Sequence, residues 1–406
     1  MDVAAHTSSS GNVASSSFLV TTINMMGLLI GLGQLSTAYA LQNGGWVSGF
    51  FLLGLGVLGG YTSHLLGLCL AAKVDLQNYS DIGFSAFGKK GRLISLIFVN
   101  LESFMALVSF TISMNDNLAR VLEGSKLHIS LLNFSTPHTL TVTAILISIP
   151  TVWLRNLDKI SFISTLNILL SVSICITFLC TAIFGGIKAI KPISVFRIEN
   201  ILSVSGLYIF NIASHMAIPE IYRSMRDPST FTVISFLSFG IVTALYATLA
   251  FLGAKMFGPE VSSQVTLSMP KHLIFTKIAL WAATIIPMTK YVFFTVPMAS
   301  EIERRLPSSM SYKRKVIIRC ASGSLLFIIV LILALTVPYF DRVLGLTGSL
   351  VSIFVSVILP CAFYLKIFRR TISRPSLVFH LSIIIVCFLL GIMGTISTAR
   401  SLVKTL

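Results

Sequence analysis

The sequence predicts an all-α polytopic membrane protein, and three observations predict it. Apolar residues make up 55% of the 406 and charged residues only 11%, against about a quarter charged in a soluble domain. Mean hydropathy is +0.90. The apolar residues gather into about eleven runs, each long enough to cross roughly 30 Å of hydrocarbon. A backbone in lipid must satisfy its own hydrogen bonds, so these runs are read as helices.

The expected spans are 18–41, 46–72, 93–114, 138–153, 160–186, 201–222, 231–257, 274–302, 316–338, 343–367 and 376–399. Residues 1–17, rich in small polar side chains, are expected to be a disordered cytosolic tail, and 400–406 a short C-terminal tail. They lack the basic start and cleavage site of a signal peptide. The formal charge is +16, but the basic residues lie in short clusters between apolar runs, which points away from nucleic acid and toward charged membrane loops. With the N-terminus in the cytosol, 18 of the 30 basic residues fall on the cytosolic side, 11 on the other, and Lys290 inside the bilayer. That bias favours the orientation. It places the sequon at Asn133 outside, a glycosylation candidate, and the one at Asn78 inside. The six cysteines all sit in or beside apolar runs. Neither a disulfide framework nor a metal spacing is expected.

Several residues do not suit lipid. The first span clusters Gly27, Gly31 and Gly33 with Gln34, Ser36 and Thr37. Small residues there serve either close helix packing or an unwound segment whose freed N–H and C=O groups face a substrate. The sixth span carries Asn211, Ser214 and His215 at its middle, followed by Pro219. Proline lacks an N–H and crowds the carbonyl four residues back, so a break is expected at His215. The histidine is either a satisfied core residue or a functional group beside that break. Glu102 and Lys290 fall near the midpoints of the third and eighth spans. Burying such charges costs about 2.5–3.5 kcal/mol on insertion scales. A structural ion pair, snorkelling over about 15 Å, or a water-filled path would each account for them. Gly54, Gly56 and Gly59 spell GxGxxG, but without a strand–turn–helix setting they read as helix packing.

Two irregular helices five spans apart point to a transporter site. They also suggest an inverted repeat over about 18–186 and 201–367, with an extra helix 376–399. No HExxH, Walker loop or GxSxG is present, so an enzyme is not expected.

The stretches GLGQLSTAYALQNGGW, YSDIGFSAFGKKGR, SHMAIPEIYRSMRDPSTF, VTLSMP and PMTKYVFFTVP, in that order, give the chain a close resemblance. It resembles the amino acid/auxin permease family, in its vacuolar amino acid transporter branch, to which vesicular inhibitory amino acid transporters are related. The resemblance implies a LeuT-like fold of eleven spans and proton-linked or exchange transport of small amino acids. The site would lie between spans 1, 3, 6 and 8. Gly31, Gly33, Leu35 and Ser36 match the family's unwound first span, which holds substrate on its backbone. Ser214, His215 and Pro219 match its sixth-span break, Lys290 an eighth-span lysine, and Glu102 a third-span acid. The chain departs at Ala38, where proline is usual, at Gln34, where an aliphatic residue is usual, and at Ser109, where the branch often has a second acid.

The expected substrate-binding set is therefore Gly31, Gly33, Gln34, Leu35, Ser36, Phe104, Phe210, Asn211, Ser214, His215 and Met216, with Glu102, His215 and Lys290 for coupling. Phe104, Phe210 and Met216 would sieve side-chain size. A fixed cation at Lys290 favours a proton-driven or uncoupled cycle over a sodium-driven one. No cofactor is expected beyond an ion gradient, with a proton gradient first and sodium second. A vacuolar or other acidic membrane is favoured over the plasma membrane. The alternative is an amino-acid-sensing receptor that binds without translocating.

Overall fold

The computed structural model describes residues 16–73, 75–123, 138–143, 145–146, 160–185, 192–195, 197–307 and 309–404. Among them, nine helical segments and one bent pair are long and apolar enough to cross a membrane. The expected span 138–153 and the sequon at Asn133 lie largely or wholly outside the described residues.

The first crossing is the bent pair. Helix α1 (Phe18–Leu29) and α2 (Gly33–Gly44) meet at 56°. Ser16 and Ser17 make defined contacts ahead of α1. Ser17 caps the helix, its hydroxyl accepting from the Val20 N–H, and Ser16 forms an isolated parallel bridge with Met225. The bridge consists of Ser16 N–H to Ser224 O at 2.9 Å and Arg226 N–H to Ser16 O at 3.0 Å.

Helix α3 (Trp46–Ala71) follows the first crossing directly after Gly45. Its glycines are packing residues. An added Cβ would meet Thr243 at Gly56 (2.2 Å), Phe239 at Gly59 (2.5 Å) and Phe231 at Gly67 (2.4 Å), all on the seventh crossing. Gly54 faces open space instead.

The third crossing belongs to a longer element than expected. Helix α4 spans Tyr79–Leu122, 44 residues, with a bend at Phe87 and Gly88. Gly88 has φ of 64°, a conformation for which glycine carries no Cβ penalty. Asn78 caps the start through its side-chain bond to the Asp81 N–H, and Arg92 binds Asp81 across the bend at 2.9 Å. The charged run GKKGR reads as a loop in sequence. Lysine and arginine are good helix formers, and here they continue the helix around the corner.

The remaining elements are α5 (Ile160–Phe184), α6 (Ile198–Phe210), a 3₁₀ turn His215–Ala217, α7 (Ile218–Ser224), α8 (Phe231–Phe257), α9 (Ile274–Arg305), α10 (Tyr312–Thr336), α11 (Phe340–Thr347), α12 (Leu359–Ile367) and α13 (Arg374–Val403). The last helix absorbs residues expected in the C-terminal tail. Between α11 and α12 the chain runs through two π-helical segments, Gly348–Ser352 and Phe354–Ile358, where one plain helix was expected. The apolar window of α9 is 72% buried and that of the α6–α7 crossing 67%, whereas α10 and α13 reach only 22%. So α6, α7 and α9 are inner helices, and α10 and α13 line the lipid face.

Outside the spans, Glu123 at the end of α4 binds Lys271 and Arg120. The Lys271 bond, then that of Arg120, holds the Glu123 carboxyl below its ordinary range.

Candidate functional site

A helix leaves its last four carbonyls without intrahelical partners. In α1 every one of them is met. Met26 O accepts from the Ile30 N–H at 2.9 Å. Gly27 O and Leu28 O accept from the Lys290 ammonium at 2.6 and 2.8 Å. Leu29 O accepts from the Tyr246 hydroxyl at 2.9 Å, and the same hydroxyl oxygen accepts from the Gly31 N–H at 3.1 Å. A cation therefore sits on the negative end of a half-helix, where the dipole favours it. Lys290 is only 2% exposed, with the Phe293 ring 5.6 Å from its ammonium. Among the described residues no acid pairs with it.

Beyond the break, α2 presents its first N–H groups. Those of Gly33 and Gln34 have no acceptor among the described residues. The Gln34 side chain turns away to Ser171 on α5, and the Ser36 hydroxyl returns to Gly33 O at 3.0 Å. Leu35 lies in the core. The Leu35 N–H is bonded to Leu32 O at 2.9 Å, and the Gln34 side-chain nitrogen is buried without a partner among the described residues.

The second break faces the first. Helix α6 ends at Phe210, the chain turns through Asn211–Ser214, and α7 begins at Ile218. The break runs over 211–217 and contains His215, where it was expected. Pro219 lies in the first turn of α7, where its missing N–H would be unsatisfied anyway. It starts the half-helix rather than kinking it. A Cβ on Gly33 would fall 1.7 Å from Asn211 Oδ1 and 3.3 Å from its Cα, so the two breaks touch at this pair. At Gly31 a Cβ would meet only Lys290 Cε, at 4.0 Å. Both amide atoms of Asn211 and the Ser214 hydroxyl are buried without a partner among the described residues. Such groups cost free energy unless something binds them.

His215 is fully buried beside Phe239. Its Nε2 lies 2.8 Å from Thr62 Oγ1 and 3.2 Å from Gly59 O, and its Nδ1 3.2 Å from Ile212 O. A neutral ring protonated on Nδ1 donates to Ile212 and accepts from Thr62. A second proton on Nε2 finds Gly59 O as acceptor.

Glu102 is equally buried, with neither carboxylate oxygen hydrogen-bonded among the described residues. It lies by Tyr79 and by Ser352 of the first π segment, whereas Lys290 sits on α1. The structural ion pair between them is not formed. Phe104 is half-buried against the core, Phe210 closes α6, and Met216 accepts from the Ser103 hydroxyl at 3.6 Å. Met216 thereby sits beside α4.

Sequence reasoning missed three features. Tyr246 is a lone tyrosine in an apolar run, and its signal is that a buried hydroxyl needs a partner. Tyr79 donates to Val355 O in the second π segment at 2.6 Å. Gln264, from the segment after α8, accepts from Ser113 and Asn117 and donates to Asp116, at 2.6–2.7 Å.

A family model described as transmembrane amino acid transporter protein matches residues 14–402. The chain belongs to that family. It is an amino acid transporter and not an enzyme. Among its relatives, amino acid transporter AVT1H of Arabidopsis thaliana is 49% identical over 391 residues, covering 96% of this chain and 91% of that protein. AVT1E of the same plant is 32% identical, covering 96% and 74%. In fold the transporter is similar to MhsT, crystallised in complex with L-phenylalanine, with a TM-score of 0.64 at 14% identity over 94% and 98% of the two chains. It is also similar to a Na⁺-coupled sialic acid symporter, with a TM-score of 0.55 at 15% identity over 95% and 88%. The fold is that of the LeuT-like transporters.

Proposed function

We propose that this transporter moves small amino acids by alternating access, driven by a proton gradient or by exchange, with the substrate held between the two breaks. The observation that carries the reading is the facing of two half-helix ends around unpartnered polar groups. The free N–H groups of Gly33 and Gln34 form the positive end of α2 and suit a carboxylate. Asn211 and Ser214 offer further hydrogen-bonding groups to the substrate's polar end. Phe210, Met216 and Phe104 limit the side chain.

Lys290 supports a cycle without sodium. Its ammonium already occupies the carbonyls of Gly27 and Leu28, so a metal ion there would have to displace it against like-charge repulsion. His215 suits proton carriage, since its ring nitrogens face acceptors on both sides. The sequence resemblance and the charge bias favour a vacuolar or other acidic membrane with the N-terminus in the cytosol.

Uptake of labelled amino acids into proteoliposomes, with and without an imposed pH gradient, tests the reading. Accumulation that collapses with the gradient, or exchange in its absence, is expected. Binding without any uptake would make the chain a sensing receptor instead.

A further inference from the structure

Two exposed basic segments that play no part at the breaks are packed together at one end of the bundle. Lys89 and Lys90 follow the bend of α4, and Lys366, Arg369 and Arg370 lie at the end of α12 and in the turn after it; all five are exposed. The Lys366 ammonium lies 5.7 Å from the centre of the Phe87 ring. Phe363 of α12 packs on Phe87 and on Tyr79, with ring centres 6.4 and 5.6 Å apart. The Thr371 and Ile372 N–H groups both close on Phe368 O, at 2.9 and 3.0 Å, which fixes the turn that carries Arg369 and Arg370.

The chain does not neutralise this charge locally. Stretches 79–101 and 359–379 contain a single acid, Asp81. Arg92 binds it at 2.9 Å, with the guanidinium 4.4 Å from the centre of the Phe84 ring. Among the described residues no acid pairs with any of the five cations. Charges gathered within a screening length of about 10 Å repel one another, and a bound polyanion removes that cost.

Deeper along α4 the same face is apolar. Leu93, Ile94, Ile97 and Leu101 follow Lys90 at the three- and four-residue steps of one helix face, and they are 36–55% exposed. From Lys90 to Leu101 the helix climbs roughly 16 Å, close to the roughly 15 Å depth of one hydrocarbon leaflet. A cationic head above an apolar stripe of leaflet length fits an amphiphile better than a free anion. Five cations outnumber the single net charge of a phosphatidylserine headgroup, and arginine grips phosphate oxygens in pairs, so the fitting headgroup carries several phosphates. We propose that this face binds an anionic phospholipid with a multiply phosphorylated headgroup, of the phosphoinositide class. Its phosphates lie among Lys89, Lys90, Lys366, Arg369 and Arg370, and an acyl chain runs along Leu93, Ile94 and Ile97. The bound headgroup ties the bend of α4 to the end of α12.

The test is native mass spectrometry of the purified full-length transporter in detergent. It is titrated with dioleoyl phosphatidylinositol bisphosphate, with dioleoyl phosphatidylserine and with soluble inositol trisphosphate. Each basic residue at an anionic surface is worth about fivefold in affinity, so the bisphosphate lipid should bind about tenfold or more tightly than phosphatidylserine. On the same scale K89Q/K90Q and R369Q/R370Q should each weaken that lipid roughly 25-fold. K313Q/R314Q removes equal charge from the start of α10 and should leave it unchanged. All the substituted side chains are exposed, so gel-filtration behaviour should stay wild-type in each variant. Equal losses in all three variants would reduce the effect to overall charge and overturn the site. Phosphatidylserine bound as tightly as the bisphosphate lipid, or inositol trisphosphate bound as tightly as the lipid, overturns the proposal by removing the need for several phosphates or for a lipid. Unchanged binding in K89Q/K90Q and R369Q/R370Q, or no binding of the bisphosphate lipid, also overturns it.

Discussion

Substituting Gly33 is the most direct probe of the contact between the two breaks. A Cβ at Gly33 would lie 1.7 Å from Asn211 Oδ1 and 2.8 Å from its Cγ, and only 3.3 Å from the Asn211 Cα. Rotating the Asn211 side chain away does not relieve the backbone approach, so the breaks must also separate slightly. Overpacking of this kind costs about 1–3 kcal/mol. Spent against a substrate held between the breaks, that cost weakens binding by roughly 5- to 150-fold. Valine adds two methyl groups and restricts the backbone, so Gly33→Val should abolish measurable binding while leaving membrane insertion unchanged. Gly31 supplies the internal control. Its Cβ would meet only the Lys290 chain at 4.0 Å, so Gly31→Ala should leave the fold undisturbed and weaken binding less than Gly33→Ala. The measurements are equilibrium binding of labelled amino acid and gel-filtration behaviour in detergent. Wild-type affinity in Gly33→Val, or a larger loss in Gly31→Ala than in Gly33→Ala, would refute the packing argument.

Four further expectations follow from the geometry. Lys290→Met strips Gly27 O and Leu28 O of their donor, while Glu102→Gln and His215→Ala each remove another buried titratable group. Each should impair uptake against a pH gradient more than exchange at equal pH, and normal pH dependence in all three would make these residues structural. Tyr246→Phe removes two hydrogen bonds at the first break, worth roughly 0.5–1.5 kcal/mol apiece; a lowered unfolding temperature with impaired uptake is expected, and wild-type values in both would deny the hydroxyl its bracing role. Glycosidase-sensitive mobility should map to Asn133 and not to Asn78, whose side chain is engaged in capping α4; a glycan on Asn78 would reverse the orientation. Finally, the lowered Glu123 carboxyl means that its tie to Lys271 contributes fully above the ordinary glutamate pKa of about 4.3. It is lost only as pH falls through the depressed value, so hydrogen exchange in segment 258–273, taken relative to the intrinsic rate at each pH, should be flat from neutrality to that range and rise below it. A rise already near pH 6 would contradict this sign.

What the sequence made legible was composition and local chemistry. Eleven apolar runs are countable, and the break at Gly31 is visible because glycine and small polar residues cluster where a span should be apolar. The break over 211–217 was visible through Pro219, although that proline lies in the first turn of the next half-helix rather than inside the break. The leg Tyr79–Phe87 was hidden because it is too short to cross a membrane by itself and is cut off from the apolar run by the charged stretch GKKGR, which in composition is like a loop. The π segments 348–358 carry no residue pattern that distinguishes them from ordinary helix. Tyr246, Gln264 and the setting of Glu102 depend on partners 100 or more positions away, which no local pattern encodes.

The bridge between Ser16 and Met225 ties the start of α1 to the end of α7, so at that end of the molecule two halves of different crossings are joined as one mechanical part. Neither can swing outward alone without breaking the Ser16 N–H and Arg226 N–H bonds together. Any reporter protein attached directly before Ser16 would load that joint and damp its motion. A flexible spacer ahead of Ser16 is therefore a condition for watching this transporter work, and the length at which transport recovers would measure how far the joint travels.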